Sequence, residues 1–350
     1  MRLRPTVAVV PPLTPDALLD AATDAVRSGT DTSDGVGGVV ARVVRDGEVL
    51  LDAAWGLADR RHGLPMTPTH RFATASGSKG LTALAVLSLV ADGTLTPGTT
   101  ARSLLGDDLP LVADDVTVEH LLAHRSGVGE YLDDDADLAE YLMPVPVHRL
   151  VSPEDYLPLL EGHPAGFAAG ERFAYSNAGF VLLSLLAQRA SGVPFHALVQ
   201  ERVLDPAGMT STGYPRSDAL PGDAAVGYVR TDDGWLTNVH HLPVVGGGDG
   251  GAYTTTADME RFWHALLGGR IVPDVLVARM REPRPTGDDE SYGLGVWLLD
   301  DGTVGLAGQD TGVSFSSWCD PRTATTRTVA GTTADAAWPV ARALREALAG

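Results

Sequence analysis

Apolar positions recur along this chain with two different periods. Leu18, Leu19, Ala22 and Val26 stand at helical spacing behind Thr14, a residue suited to cap a helix, so 15–28 predicts an amphipathic helix. Residues 38–44 and 46–51 are Val-rich runs on either side of Asp46-Gly47, the signature of a β-hairpin. At 76–92 the period lengthens again: Leu81, Leu84, Leu87 and Val90 recur every third residue before Gly93, a fitting helix stop. With almost no charge after Lys79, that helix should be buried on most sides.

From about 100 to 230 the pattern is helical and loop-rich, with helices at 118–124, 153–160, 177–190 and 195–203. Strands return from about 225, around a helix at 256–267 capped by Thr255 or Thr256. Strand-like runs follow at 293–299, 302–306, 313–319 and 326–331, then a closing helix at 334–348. Sheet at both ends with a helical insertion between them predicts one α/β domain spanning 1–350. Its sheet portion covers about 1–100 and 225–350, and an all-α subdomain covers about 101–224. A cleft between the two is the expected place for a site, edged by loops near 125–150, 225–250 and 280–290.

Charge narrows the function. The 26 basic and 45 acidic residues give a net charge of −19, which repels phosphate backbones and anionic lipid, so neither nucleic acid nor a membrane is an expected partner. Cys319 is the only cysteine, which excludes an internal disulfide and Cys-rich zinc sites. The amino-terminal apolar run, Val7 to Val10, is short for an export segment, and no stretch is long enough for a membrane span, so a cytoplasmic protein is expected.

The basic residues are 25 arginines and one lysine, Lys79. Arginine serves wherever a fixed positive charge suffices, but not where an amine must lose its proton. Lys79 follows Ser76 by three, and on a helix positions i and i+3 share a face. Serine needs a base beside it to act as a nucleophile, and a desolvated lysine amine can be that base. A helix start there adds free N–H groups where an oxyanion would form. Tyr175-Ser176-Asn177 is the second element. Alone it reads as a turn before a helix with Asn177 as cap; beside Ser-x-x-Lys, the phenol becomes a proton shuttle and the amide a positioning group.

These elements, with Leu121-Leu122-Ala123-His124-Arg125-Ser126-Gly127-Val128 and Gly250-Gly251-Ala252-Tyr253-Thr254-Thr255, resemble the penicillin-recognising serine hydrolases. The likeness is to the group holding class C β-lactamases, D-alanyl-D-alanine peptidases and family VIII carboxylesterases. It implies a central antiparallel sheet flanked by helices. It further implies Ser76 as acylated nucleophile, Lys79 as its base, Tyr175 as proton relay and Asn177 as the residue holding Lys79 and substrate.

The third motif of that group, Lys-Thr-Gly or His-x-Gly, is matched by Leu306-Ala307-Gly308, placing Leu306 where a cation or imidazole is usual. The backbone N–H of Gln309 would join that of Ser76 as the oxyanion hole. Leu306, Gly308, Asp249 and Asp310 are the expected substrate contacts. Losing the cation disfavours a substrate with a carboxylate beside the scissile bond, so small-molecule esters or amides are expected. Acyl transfer to an amine or alcohol, a β-lactamase or D,D-peptidase, and a non-catalytic binding protein are the alternatives.

Other features weigh less. His120 and His124 have the spacing of a zinc pair but lack a third ligand, so no metal is expected, and the chemistry implies no cofactor. Asp133-Asp134-Asp135 reads as a solvated loop. His240-His241 and the glycines at 246–251 read as a flexible connector at the cleft edge, and Cys319 as an inert strand residue.

Overall fold

A computed structural model describes residues 14–29, 37–132, 143–287 and 290–349; the acidic run at 133–135 and the amino-terminal apolar run lie outside these. The chain opens with α1 (Pro15–Ser28), capped by Thr14 through a bond from the Ala17 N–H. Strands β1 (Val39–Arg45) and β2 (Glu48–Trp55) form the expected hairpin. Asp46 and Gly47 both take positive φ, 51° and 80°, as a two-residue turn of matching twist requires.

Helix α2 (Lys79–Ala91) is followed by α3 (Val118–Leu122), α4 (Asn177–Ser191), α5 (Phe195–Val199) and α6 (Thr256–Leu267). Short strands β3 (Arg284–Pro285), β4 (Ser291–Tyr292) and β5 (Trp297–Leu298) lead into β6 (Val304–Asp310), β7 (Val313–Asp320) and β8 (Thr325–Gly331), before α7 (Ala337–Ala349). The main sheet has the order β2-β1-β8-β7-β6-β5-β4-β3, antiparallel throughout.

One sheet face is covered by α1 and α7, where Leu18, Ala22, Val340 and Leu344 meet Val39, Ala41 and Val329. The other carries the larger core, in which α2, α4 and α6 pack against Phe315, Leu306 and Ala330. Every residue of α2 from Lys79 to Leu89 is buried, as its apolar content predicts. Among the described residues, no single helix is long and apolar enough to cross a membrane.

The elements differ from expectation at several points. The helix foreseen at 153–160 is a 3₁₀ turn, Pro153–Tyr156, continuing into a single α turn, Leu157–Leu160. The strand foreseen at 293–299 shrinks to two residues, because Gly295 takes φ 81° and a Cβ there would strike the Ala83 side chain. After α5, a π turn at Gln200–Leu204 replaces the end of the expected helix.

Candidate active site

Ser76 sits in a 3₁₀ turn, Ala75–Ser78, that feeds directly into α2, not in the first α turn itself. The turn is held from below. The Ala252 N–H donates to Ser78 Oγ (2.9 Å), Ser78 Oγ donates to the Ala75 carbonyl (2.9 Å), and the Thr74 N–H donates to the Ala252 carbonyl (2.9 Å). Ala75 is forced to φ 44°, a left-handed conformation an alanine rarely adopts. Such strain persists only where the surroundings over-determine it. Its effect is to present the next residue, Ser76, to a cavity of about 730 Å³.

The lysine beneath is 1% exposed. Its Nζ lies 3.0 Å from Ser76 Oγ, 2.7 Å from Asn177 Oδ1 and 2.6 Å from the Asp249 carbonyl oxygen. Lys79 forms no ion pair with a described carboxylate. Asn177 Oδ1 and the Asp249 carbonyl oxygen each accept from the Lys79 amine, which holds Nζ against the serine hydroxyl.

Asn177 is free for this contact because it does not cap its helix. Ser176 does, accepting from the Gly179 N–H at 2.9 Å, so the Asn-cap reading is replaced by a Ser-cap one. The half-buried Glu130 carboxylate also receives the Ala178 N–H (3.1 Å), and its pKa is raised by desolvation.

Tyr175 lines the cavity with Lys79 Nζ 4.9 Å from its ring centroid. It stacks on Trp297 with planes 9° apart and packs on the His124 ring at 4.3 Å. His124 brackets it. The His124 carbonyl accepts the Ala174 N–H (2.9 Å), and His124 Nδ1 accepts the Ser176 N–H (3.0 Å). The imidazole therefore carries its proton on Nε2, which is buried without a hydrogen-bond partner. Burial, with the nearby Lys79 charge second, holds this histidine well below the ordinary range. His120 is likewise committed to backbone, its Nδ1 accepting from the Thr117 N–H. Among the described residues no group of three or more His, Cys, Asp or Glu is placed to hold a metal ion.

Strand β6 forms the opposite wall. A Cβ on Gly308 would lie 2.7 Å from the Ser76 backbone nitrogen, so only glycine lets the strand pass this close. Gly308, Gln309 and Asp310 line the cavity, while Leu306 does not. Expected as a substrate contact, Leu306 instead turns into the core, 3% exposed, over Gly80, where a Cβ would come within 2.7 Å of its methyl. Leu306 shares Gly308's face of the strand, and that face packs on α2 at Gly80.

Asp249 and Asp310 both face the cavity. Asp249 Oδ2 accepts from Tyr131 Oη (2.7 Å), a phenol that burial keeps protonated. Asp310 is pushed up to about 6, chiefly by burial, with the Asp249 charge adding to the rise. The glycine loop is packed and pinned, contrary to the flexible connector expected. Thr82 Oγ1 donates to the Gly248 carbonyl (2.6 Å), and a Cβ on Gly246 would lie 2.5 Å from the Gly251 carbonyl carbon. His241 lines the cavity, His240 ends a 3₁₀ turn, and Cys319 is buried in β7. Reading the sequence did not find Trp297, Tyr131 or the strained Ala75, none of which carries a local signal of its role.

Comparison with known proteins decides the family. A model described as Beta-lactamase matches residues 18–349. The chain belongs to the beta-lactamase family. Within that family it is similar to a solved penicillin-binding protein from Bacillus halodurans, with 35% identity, a TM-score of 0.84, and 94% of this chain and 98% of that one covered. It is 36% identical over 219 residues to the esterase EstB of Burkholderia gladioli, covering 56% of this chain and 53% of EstB. It is 28% identical over 285 residues to a D-aminopeptidase of Cereibacter sphaeroides, covering 79% of this chain and 52% of that protein. The chain spans about half to three fifths of the length of the curated relatives it matches.

Proposed function

We propose that this protein is a serine hydrolase that cleaves small-molecule esters or amides through an acyl-enzyme on Ser76. The observation that supports this most is the three-way contact of Lys79, whose two carbonyl-type partners hold its Nζ 3.0 Å from Ser76 Oγ. Esterase and D-aminopeptidase relatives accord with the substrate class.

Ser76 Oγ attacks the substrate carbonyl as its proton passes to Lys79 Nζ. The oxyanion is met by the backbone N–H groups of Ser76 and Gln309, a reading supported by the close pass of Gly308 at the Ser76 nitrogen. The proton moves through Tyr175 to the departing alkoxide or amine as the carbonyl–leaving-group bond breaks. In the second half-reaction water adds its hydroxyl to the acyl carbon, and its proton returns to Ser76 by the same groups. Asn177 holds Lys79 throughout. Asp249 and Asp310 place negative charge beside the reacting centre, which disfavours a carboxylate next to the scissile bond.

The test is intact-protein mass and turnover after exposure to p-nitrophenyl acetate, p-nitrophenyl butyrate, a β-lactam and a fluorophosphonate. The wild type should gain a covalent adduct from an ester or the fluorophosphonate, and Ser76→Ala none. Lys79→Arg should fold yet lose about 10³-fold in kcat/KM, because guanidinium cannot take the proton. An adduct persisting in Ser76→Ala would overturn the assignment. Added amines or alcohols diverting the acyl group would mark acyl transfer.

A further inference from the structure

We propose that the far end of the cavity is a subsite for a carboxylate that the substrate carries about 13 Å from its scissile bond, the length of four strand residues. The inference deepens the acyl-enzyme reading and rests on it only for the substrate's other end. The cavity wall runs from Gln309 and Ala307 across Ser316 to Trp318. Gly305, four residues before Gln309, is the cross-strand partner of Trp318, and Trp318 in turn pairs with Arg327 on β8. Helix α7 closes this end with Trp338, Arg342 and Arg345, spaced along one side.

Three guanidinium groups therefore converge on one end of the cavity, and none has a hydrogen bond or ion pair with a described carboxylate. The cluster stands in a chain with 45 acidic and 26 basic residues. Several other arginines do meet acids: Arg42 pairs with Asp52 and Glu260, Arg189 with Asp108 and Glu154, Arg279 and Arg284 with Glu119. Asp301, whose charge reaches Arg327, is engaged by Arg322 at 3.0 Å. Burial, with Arg345 as the next cause, lowers Arg327 to about 10, the direction expected of a cation lacking a partner.

The two indoles are fixed. Trp318 Nε1 donates to Ser316 Oγ and Trp338 Nε1 to the Ala334 carbonyl, both at 3.0 Å, while the Arg327 guanidinium lies 5.7 Å from the Trp318 ring centroid. Planar forks beside flat aromatic walls suit a carboxylate on an apolar stem. The cavity is thus polarised, with Asp249 and Asp310 at the nucleophile and arginines at the far end. A carboxylate next to the reacting carbonyl is repelled; one at the other end is drawn in.

Two measurements test this. The first is calorimetric binding of sebacate, a ten-carbon dicarboxylate, to Ser76→Ala with and without Arg342→Gln and Arg345→Gln. The second is the ratio of kcat/KM for p-nitrophenyl hydrogen sebacate to that for its methyl ester, in wild type and the double arginine variant. The expected wild-type ratio is about tenfold in favour of the acid, falling toward one in the variant and in high salt. Sebacate binding should weaken by a similar factor. A ratio at or below one in wild type, or equal sebacate affinity with and without the arginines, would overturn the proposal. Sebacate binding that needs the arginines, in a protein that turns over no ester, would instead retain the subsite and sink the acyl-enzyme reading.

Discussion

His124 shows how one side chain can hold another in place without touching substrate. It bonds the peptide N–H on each side of Tyr175, one through its carbonyl and one through Nδ1, and lays its ring under the phenol. Nδ1 can accept only while unprotonated, and burial favours that state. The unfolded chain takes up a proton near pH 6.5, so folding loses stability as pH falls below that value, at up to about 1.4 kcal/mol per pH unit. His124→Gln should flatten this slope between pH 7 and 5 in urea titrations, whatever its overall stability. An unchanged slope would show that the imidazole does not stay neutral.

Asp310 has the opposite sign. Its folded value of about 6 lies above the ordinary 3.8, so its contribution to stability is fully present below 3.8 and lost as pH rises to 6. Asp310→Asn should gain on wild type in Tm as pH goes from 4 to 7; a constant gap would refute this. The sequence pointed to Ser76 and Lys79 because a sole lysine stands at i+3 from a serine, whereas Tyr175 and Asn177 stood out only beside that pair and the family resemblance. The bracket by His124 was not legible, because its partner N–H belongs to Ser176, 52 positions away, and backbone donors leave no mark on composition.

Strand β6 reaches the Ser76 turn at a residue with no side chain. At Gly308 the strand passes so close to the Ser76 turn that a methyl group would strike the Ser76 and Gly77 nitrogens. Gly308→Ala should push the strand away from the oxyanion N–H pair and lower kcat about 10²-fold, with circular dichroism unchanged. Retained kcat would mean that the pair of N–H groups is not where we place it. Helices with clear caps, such as 15–28 and 256–267, were read to the residue, since their start signals are local. Strands β3 to β5 were not, because their length is decided by Gly293 and Gly295 packing against Met280 and Ala83, contacts no periodicity encodes.

For the whole molecule, the first and last segments of the chain form a single layer. Helices α1 and α7 pack together on the sheet, and β1 pairs with β8 from Val39↔Gly331 to Arg45↔Thr325. That pairing joins residues nearly the whole chain apart, which explains why the sequence puts both ends in one sheet portion without giving the order of its strands. Leu344 is fully buried in that layer. Leu344→Ala should cost about 2–5 kcal/mol in urea unfolding while leaving kcat of the folded fraction near wild type.

The single lysine has a use beyond chemistry. A host fed lysine enriched in ¹³C and ¹⁵N at the side-chain terminus would yield a protein with one labelled amine, and that amine is the group in contact with Ser76, Asn177 and Asp249. Its spectrum would contain a single side-chain resonance, assigned without a mutant. Following that one peak through a pH series, and again after acylation, would read the protonation state of the proposed base directly.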